Sequence, residues 1–267
     1  KQLASQIVQG KVILFVGAGV SASVGMPTWR DMINKMAEDL KFDPSEFSGF
    51  GDYLQLASFY KSKTGSIDPI LDWLKVKAKE VQPAVQESVI LESIAKLGFK
   101  KIYTTNYDKI LERSFHLHNT KHKTIRGIAD LSDTSDGTQI IKFHGDFDRK
   151  SQIVMTETDY FDRFDFNHPF DIKFRSDSIG SSILFIGYSF SDVNIRYLIY
   201  RLNKLWEIHK ETKKLKSYIF LSECNPVKQV ILNDYGIIPI FGEGENVALD
   251  LENFLKSLLE EVKKISK

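Results

Sequence analysis

Six short apolar runs punctuate the chain: 12–16 (VILFV), 101–104 (KIYT), 139–143 (QIIKF), 182–186 (SILFI), 217–221 (SYIFL) and 237–240 (IIPI). Continuous apolar runs of this length predict strands buried on both faces, as in a parallel sheet. Between most of them the apolar residues recur at helical spacing. Trp29, Met32, Ile33, Met36 and Leu40 form one such stripe and predict a helix over 28–40. Segments 108–117, 192–209, 226–235 and 246–265 behave in the same way. Strands that alternate with helices imply right-handed crossovers and a sheet covered on both faces.

One stretch breaks the alternation. From Pro27 to Leu97 no strand pattern occurs, and 52–62, 66–79 and 83–97 read as helices separated by Ser48-Gly49 and Thr64-Gly65. The expected architecture is therefore α/β: a Rossmann-like, mostly parallel sheet with helices on both faces and a helical insertion after the first strand. A single domain over 1–267 is expected, with the insertion at about 41–98; no repeat, low-complexity tract or linker divides it. The charged end, 256–267, reads as a solvated helix face.

Composition narrows the function classes. Lys plus Arg number 36 and Asp plus Glu 35, for a net charge of +1, which argues against bulk binding of nucleic acid or anionic membrane. No apolar run approaches the ~20 residues of a membrane span. The lone cysteine, Cys224, rules out an internal disulfide and a four-cysteine zinc site, and fits a reducing cytoplasm. No signal-peptide pattern is read at the start. The chain opens on Lys rather than Met, so a segment of a longer protein is expected.

The first chemical signal is Gly17-Ala18-Gly19-Val20-Ser21-Ala22, between a strand and a helical segment. Glycines let a backbone approach a pyrophosphate, whose charge is favoured by backbone N–H groups at a helix start. A plain tight turn is the simpler reading. A hydride-transfer enzyme would need an acidic residue about 20 residues on, at the end of a second strand. Glu38 and Asp39 fall near that distance but end a helix, and no Gly-Lys-Ser/Thr of a Walker loop follows.

The pattern runs further, as Gly17-Ala18-Gly19-Val20-Ser21-Ala22-Ser23-Val24-Gly25-Met26-Pro27-Thr28-Trp29-Arg30. This resembles the sirtuin signature G-A-G-x-S-x-x-x-G-x-P-x-aromatic-R. Three further blocks follow in the family's order: Thr104-Thr105-Asn106-Tyr107-Asp108, Phe143-His144-Gly145 and Gly187-Tyr188-Ser189, each at the C-terminal end of a predicted strand. Open α/β sheets bind ligands along that edge. The chain departs from protein deacylase sirtuins in lacking four zinc-binding cysteines. Thr28, Trp29 and Thr105 also stand where Asp, Phe and Gln are usual. It is more similar to zinc-free bacterial sirtuin-like domains of antiphage defence proteins, such as the Thoeris NADase effector.

That resemblance implies cleavage of NAD as a substrate, without a metal, in an effector that depletes NAD+ during abortive infection. Hydrolysis to ADP-ribose and cyclisation both stay open. Asn106 would orient the ribose hydroxyls and the attacking water, and His144 would act as general base. A turn Asn and a packed core His are their plainer readings. Asp108 reads equally as an acceptor for the carboxamide and as a helix cap. Gly17, Ala18, Gly19, Ser21, Gly187 and Ser189 would surround the pyrophosphate, Trp29 and Arg30 would lie over the nicotinamide ribose and phosphate region, and Thr28 and Thr105 would also belong to the NAD site. Trp29 also belongs to a core stripe. Ser222 and Glu223, after the 217–221 strand, would meet the adenosine end.

The resemblance further implies a homo-oligomer, or assembly with a fused or separate sensor, with no direct nucleic-acid or membrane partner. An always-active NADase would kill its host, so weak activity until assembly or a trigger is expected. A protein deacylase and a non-catalytic NAD or ADP-ribose sensor are the alternatives. His116, His118 and His122 sit in a stretch that reads as a polar loop rather than a metal site. His144-Gly145-Asp146-Phe147-Asp148 as a metal site would leave the glycine loop unexplained. The basic run 210–216 reads as a solvated turn. The aromatic stretches 159–161 and 164–170 read as core, lid or oligomer contact.

Overall fold

The computed structural model describes residues 1–132, 136–190, 192–208, 215–221, 223–242, 244 and 246–266. Its centre is a parallel sheet of β1 (Val12–Val16), β2 (Lys101–Thr104), β3 (His122–Ile125), β4 (Thr138–Lys142), β5 (Ser182–Ile186), β6 (Ser217–Leu221) and β7 (Ile237–Phe241). The strand order is β3-β4-β2-β1-β5-β6-β7, with every neighbouring pair parallel.

All five residues of β1 are buried, because alternate side chains enter opposite cores. Val12, Leu14 and Val16 join a core with Ile102, Ile140, Leu184 and Ile186. Helices Gln2–Val8, Val89–Lys96, Ile110–Leu117 and Val247–Ile265 cover that side. Ile13 and Phe15 face the other core, where Phe15 meets Phe174 and Tyr188 edge-on at 5.7 and 5.2 Å. Helices Pro169–Ser178 and Val193–Ile208 close this second side.

The helices between β1 and β2 include Trp29–Asp39, Pro44–Phe47, Tyr53–Thr64 and Asp68–Glu80. Capping boxes start the first and third of these, Thr28 with Asp31 and Asp52 with Gln55. Gly65, at φ 81°, ends the third. This helical unit reaches the segment before Pro169. The Glu157 backbone N–H donates to Ser58 Oγ at 2.9 Å, and Lys61 Nζ lies 3.4 Å from Asp159.

Three expectations need correction. The edge strand β3 has no counterpart among the six apolar runs, because in HKTI only Ile125 is buried. The helix expected over 83–97 is two helices, Gln82–Glu87 and Val89–Lys96. Ser88 is extended between them, and its Oγ caps the second by accepting from Leu91 N–H at 3.3 Å. The helix Gln2–Val8 had no predicted counterpart.

Register sets up the site. Val16 is level with Thr104 and with Ile186, and Thr104 is level with Lys142. The loops after β1, β2, β4 and β5 therefore leave one sheet edge side by side. The chain turns from β1 to opposite sides at this point, which is where open parallel sheets form a crevice.

Candidate active site

A cavity of about 1260 Å³ lies over that edge. Its floor is two loops in contact. A Cβ on Gly17 would fall 2.4 Å from the Gly187 carbonyl oxygen. Gly187 has φ +57°, and a Cβ there would fall 2.5 Å from the Val20 nitrogen. The Gly19 N–H donates to the Gly187 carbonyl at 2.8 Å. Close approach by a pyrophosphate was the expected use of these glycines. The close approach seen is of one loop to the other, and it spends the Gly19 N–H.

Asn106 locks a third loop onto this floor. Its Nδ2 donates to the Gly17 carbonyl at 3.1 Å and to Ser21 Oγ at 2.9 Å. Its backbone N–H donates to Thr104 Oγ1 at 3.1 Å. Oδ1 has no partner among the described residues and is left as an acceptor. Ser21 Oγ accepts from Asn106, so its own O–H remains to be donated. Asp108 lines the same cavity, while its Oδ1 accepts from Ile110 N–H at 3.0 Å. Its side chain therefore holds the first turn of the following helix and also stands at the cavity wall. The Asp108 carbonyl accepts from the buried Lys142 Nζ, at the end of β4. Tyr107 ties the loop to the far side by donating to the Val154 carbonyl at 2.8 Å.

His144 follows β4, is 2% exposed and lines the cavity. Its Nε2 is buried without a hydrogen bond among the described residues and lies 3.6 Å from Asp192 Oδ2. The Tyr160 ring meets it edge-on at 5.3 Å. Burial, with the Arg163 guanidinium and His168 nearby, holds its pKa well below the ordinary 6.5. The imidazole is neutral near pH 7. Arg163 is itself clamped: Nη1 donates to the Phe143 carbonyl at 2.9 Å, Nε donates to Asp171 at 3.1 Å, and the guanidinium lies over the Phe143 ring.

Of the remaining expected residues, Ala18, Gly19, Trp29, Thr105, Gly187 and Ser189 line the cavity. Trp29 also packs on the core, as its helical stripe implies, and lies parallel to Tyr53 at 6.3 Å. Thr28 and Arg30 are exposed and off the cavity wall; Thr28 is occupied with capping. Gly17 lies behind the wall, against Gly187. Glu223 is exposed and does not line the cavity, and Ser222 lies outside the described residues. Beyond β6 the wall is instead Phe220, Leu221 and Lys228, whose ammonium burial pushes down.

Sequence reasoning passed over Asp192, Tyr160 and Lys228. For Asp192 a signal existed: Ser189-Phe190-Ser191-Asp192-Val193 leads from a strand end at the site into a helix. Tyr160 was noticed only as part of an aromatic stretch. That stretch divides, with Tyr160, Phe166 and Phe170 buried and Phe161 and Phe164 exposed at the cavity.

The set-aside clusters have local partners. Asp146 pairs with Arg126 at 2.5 Å and Asp148 with Lys109 at 2.6 Å. His118 and His122 turn Nδ1 to the carbonyls of Ser114 and Thr120. His122 lies in β3 rather than in a loop. Among the described residues no group of three His, Cys, Asp or Glu could hold a metal ion. Most of the basic run 210–216 lies outside the described residues.

Comparison with known proteins places this arrangement. The NAD(+) hydrolase ThsA of Bacillus cereus is 24% identical over 89% of this chain and 54% of its own length. That of Acinetobacter baumannii is 24% identical over 98% of this chain and 55% of its own. Defense-associated sirtuin 2 of Bacillus subtilis is 29% identical over 77% of this chain and 20% of its own. The chain thus spans about half, or less, of the curated relatives it matches. Among solved structures, a Sir2 homologue in complex with NAD superposes with a TM-score of 0.54 at 14% identity, over 100% of this chain and 94% of that one. At that identity the likeness shows the shared Rossmann-like fold. The SIR2-like domain model matches residues 100–240, just over half of the chain, and takes in Asn106, His144 and the Gly187 loop. The chain belongs to the SIR2-like domain family.

Proposed function

We propose that this chain is an NAD+ glycohydrolase that cleaves NAD+ to nicotinamide and ADP-ribose, or to its cyclic form. The observation that carries this reading is the convergence of Ser21, Asn106 and His144, from three different strand ends, on one cavity roomy enough for a dinucleotide. Nicotinamide is a cationic leaving group in NAD+. Its bond to C1′ breaks with the electron pair going to nitrogen, so it departs neutral and needs no acid. Positive charge then builds at C1′ and water must be delivered. The free Oδ1 of Asn106 suits the task of fixing ribose hydroxyls and that water, and the O–H of Ser21 suits donation to the pyrophosphate. Neutral His144 suits the role of base: it takes the water's proton as oxygen bonds to C1′, then yields it to solvent.

The other assignments belong to the same reading. Ala18, Gly19, Gly187 and Ser189 would flank the pyrophosphate, with Gly17 behind them, and Thr105, Asp108 and Trp29 would flank the nicotinamide riboside. The adenosine would extend toward Phe220, Leu221 and Lys228. The relatives' names, NAD(+) hydrolase and defense-associated sirtuin, support an effector of antiviral defence by NAD+ depletion. Their greater length supports a single effector domain over 1–267 that works with a sensor or as an oligomer. The free Cys224 supports a cytoplasmic setting. Among the described residues no helix is long and apolar enough to cross a membrane.

The test is incubation with NAD+ and chromatography of nicotinamide and ADP-ribose, beside His144→Ala. Product from the parent and not from the variant is expected. Equal cleavage by both would remove the residue assignment. NAD+ binding without turnover, alone or as the relatives' full-length arrangement, would instead favour a sensor.

A further inference from the structure

Asp192 is a largely buried carboxylate, its side chain 10% exposed, that the hydrolysis reading leaves unused. It precedes the helix Val193–Ile208, in the loop that follows β5, and lines the same cavity as His144. Its Oδ1 accepts from Ile195 N–H at 3.0 Å. Its Oδ2 accepts from the Tyr160 hydroxyl at 3.1 Å and stands 3.6 Å from His144 Nε2. Helix capping accounts for Oδ1 alone, and Asn caps as well as Asp. A cap does not call for a charge, and here the charge is costly: burial raises the Asp192 carboxyl above its usual range.

His144 has the complementary need. Its Nε2 is buried with no hydrogen-bond partner among the described residues. Arg163 and His168 oppose any proton it takes. An imidazolium formed there would stand near a guanidinium, and Asp192 is its ion-pairing carboxylate among the described residues. A carboxylate behind a histidine holds one N–H, which selects the tautomer, and stabilises the imidazolium that forms.

We propose that Asp192 is the positioning partner of His144: it accepts the Nε2–H, leaves Nδ1 as the atom that takes a proton, and balances the charge once it has. The Tyr160 hydroxyl holds the carboxylate in place. The catalytic part of this inference rests on the glycohydrolase reading; the pairing itself does not. The proton of the attacking water goes to Nδ1 and then to solvent, and Asp192 stays ionised throughout. The charged and titratable groups facing the pair are Tyr107 after β2, Tyr160 and Arg163 from the segment before Pro169, His168, Tyr188 after β5, and Arg196 on Asp192's own helix.

Asp192→Asn keeps the cap and the shape and removes the charge. Two measurements on the whole chain decide the matter. One is NAD+ cleavage across pH. The other is imidazole nitrogen NMR of histidine-labelled protein, with the His144 signals assigned by their loss in His144→Gln. The expected result for Asp192→Asn is a fall in kcat of about 10²–10⁴-fold. KM should stay near the parent's, the acid limb should move to lower pH, and the Nε2–H tautomer of His144 should be lost. Tyr160→Phe leaves the cap intact, and loss of its hydrogen bond should lower kcat about five- to ten-fold. Parental kcat in Asp192→Asn, or a loss matching only the unfolded fraction with the His144 tautomer unchanged, would overturn the proposal. If the parent proves inactive on NAD+, the glycohydrolase reading fails separately. The NMR comparison then decides the pairing: a changed tautomer supports it and an unchanged one refutes it.

Discussion

The two walls of the cavity are built differently. The sheet-edge wall is rigid and polar: Asn106 joins the Gly17 carbonyl to Ser21, Gly187 packs backbone to backbone against Gly17 and Gly19, and His144 is buried against Tyr160 and Asp192. The opposite wall is apolar and partly open. Trp29, Tyr53, Phe161 and Phe164 supply it, and peripheral contacts such as the partly buried Lys61–Asp159 and the exposed Gln55–Glu157, both 3.4 Å, join its two parts. In the proposed reaction the groups that do chemistry must be held before substrate arrives, which suits a wall whose polar atoms bond one another. A wall that shapes a pocket and excludes water works with apolar area, which is tolerant of small shifts.

If that division holds, substitutions on the two walls separate in kind. The largest effect is expected at His144 or Asn106, where alanine should lower kcat about 10²–10⁴-fold in NAD+ turnover. The melting temperature should fall by only a few degrees. Gly17→Ala comes next, because its Cβ would strike the Gly187 carbonyl. Overpacking of this kind costs about 1–3 kcal/mol and should be read in a denaturant melt. Equal stability of Gly17→Ala would show that the two loops slide past each other, and the rigid-wall description would fall.

A smaller, pH-dependent effect follows from His144. Its folded pKa lies below that of the unfolded chain, so between the two the unfolded state binds more protons and stability rises with pH. The contribution is fully present above about 6.5 and is lost as pH falls toward the folded value. Thermal melts of the parent should weaken on acidification through that window, and His144→Gln should weaken less. On the apolar wall, Phe164→Ala should raise KM for NAD+ several-fold with kcat nearly unchanged, worth about 1 kcal/mol. The smallest effect is expected at Lys61→Ala. A peripheral ion pair contributes about 0–1 kcal/mol, so stability and kinetics should both stay close to the parent's.

Much of the sheet was legible because a strand buried on both faces must be apolar throughout. VILFV, SILFI and SYIFL therefore announce themselves. His122–Ile125 did not, since an edge strand buries one side chain and leaves three partly in water. The break at Ser88 escaped because helical spacing continues across it while the backbone does not. Asn106 and His144 were legible through the order of four short motifs. Thr28 and Arg30 belong to the first motif, yet neither lines the cavity, and Thr28 is engaged in the local helix cap.

By itself, the sequence determined the alternation of strand and helix and the strand edge over which the cavity opens, and it pointed to Asn106 and His144, which line that cavity. These depend on local chemistry: apolar runs, turn glycines and polar residues just past strand ends. Only the tertiary structure decided that the loop glycines serve each other's backbones, that His144 is neutral, and that Asp192 and Tyr160 stand behind it. Those residues come from segments far apart in the chain. Burial, charge proximity and close approach are properties of the space between segments, which no single stretch of sequence contains.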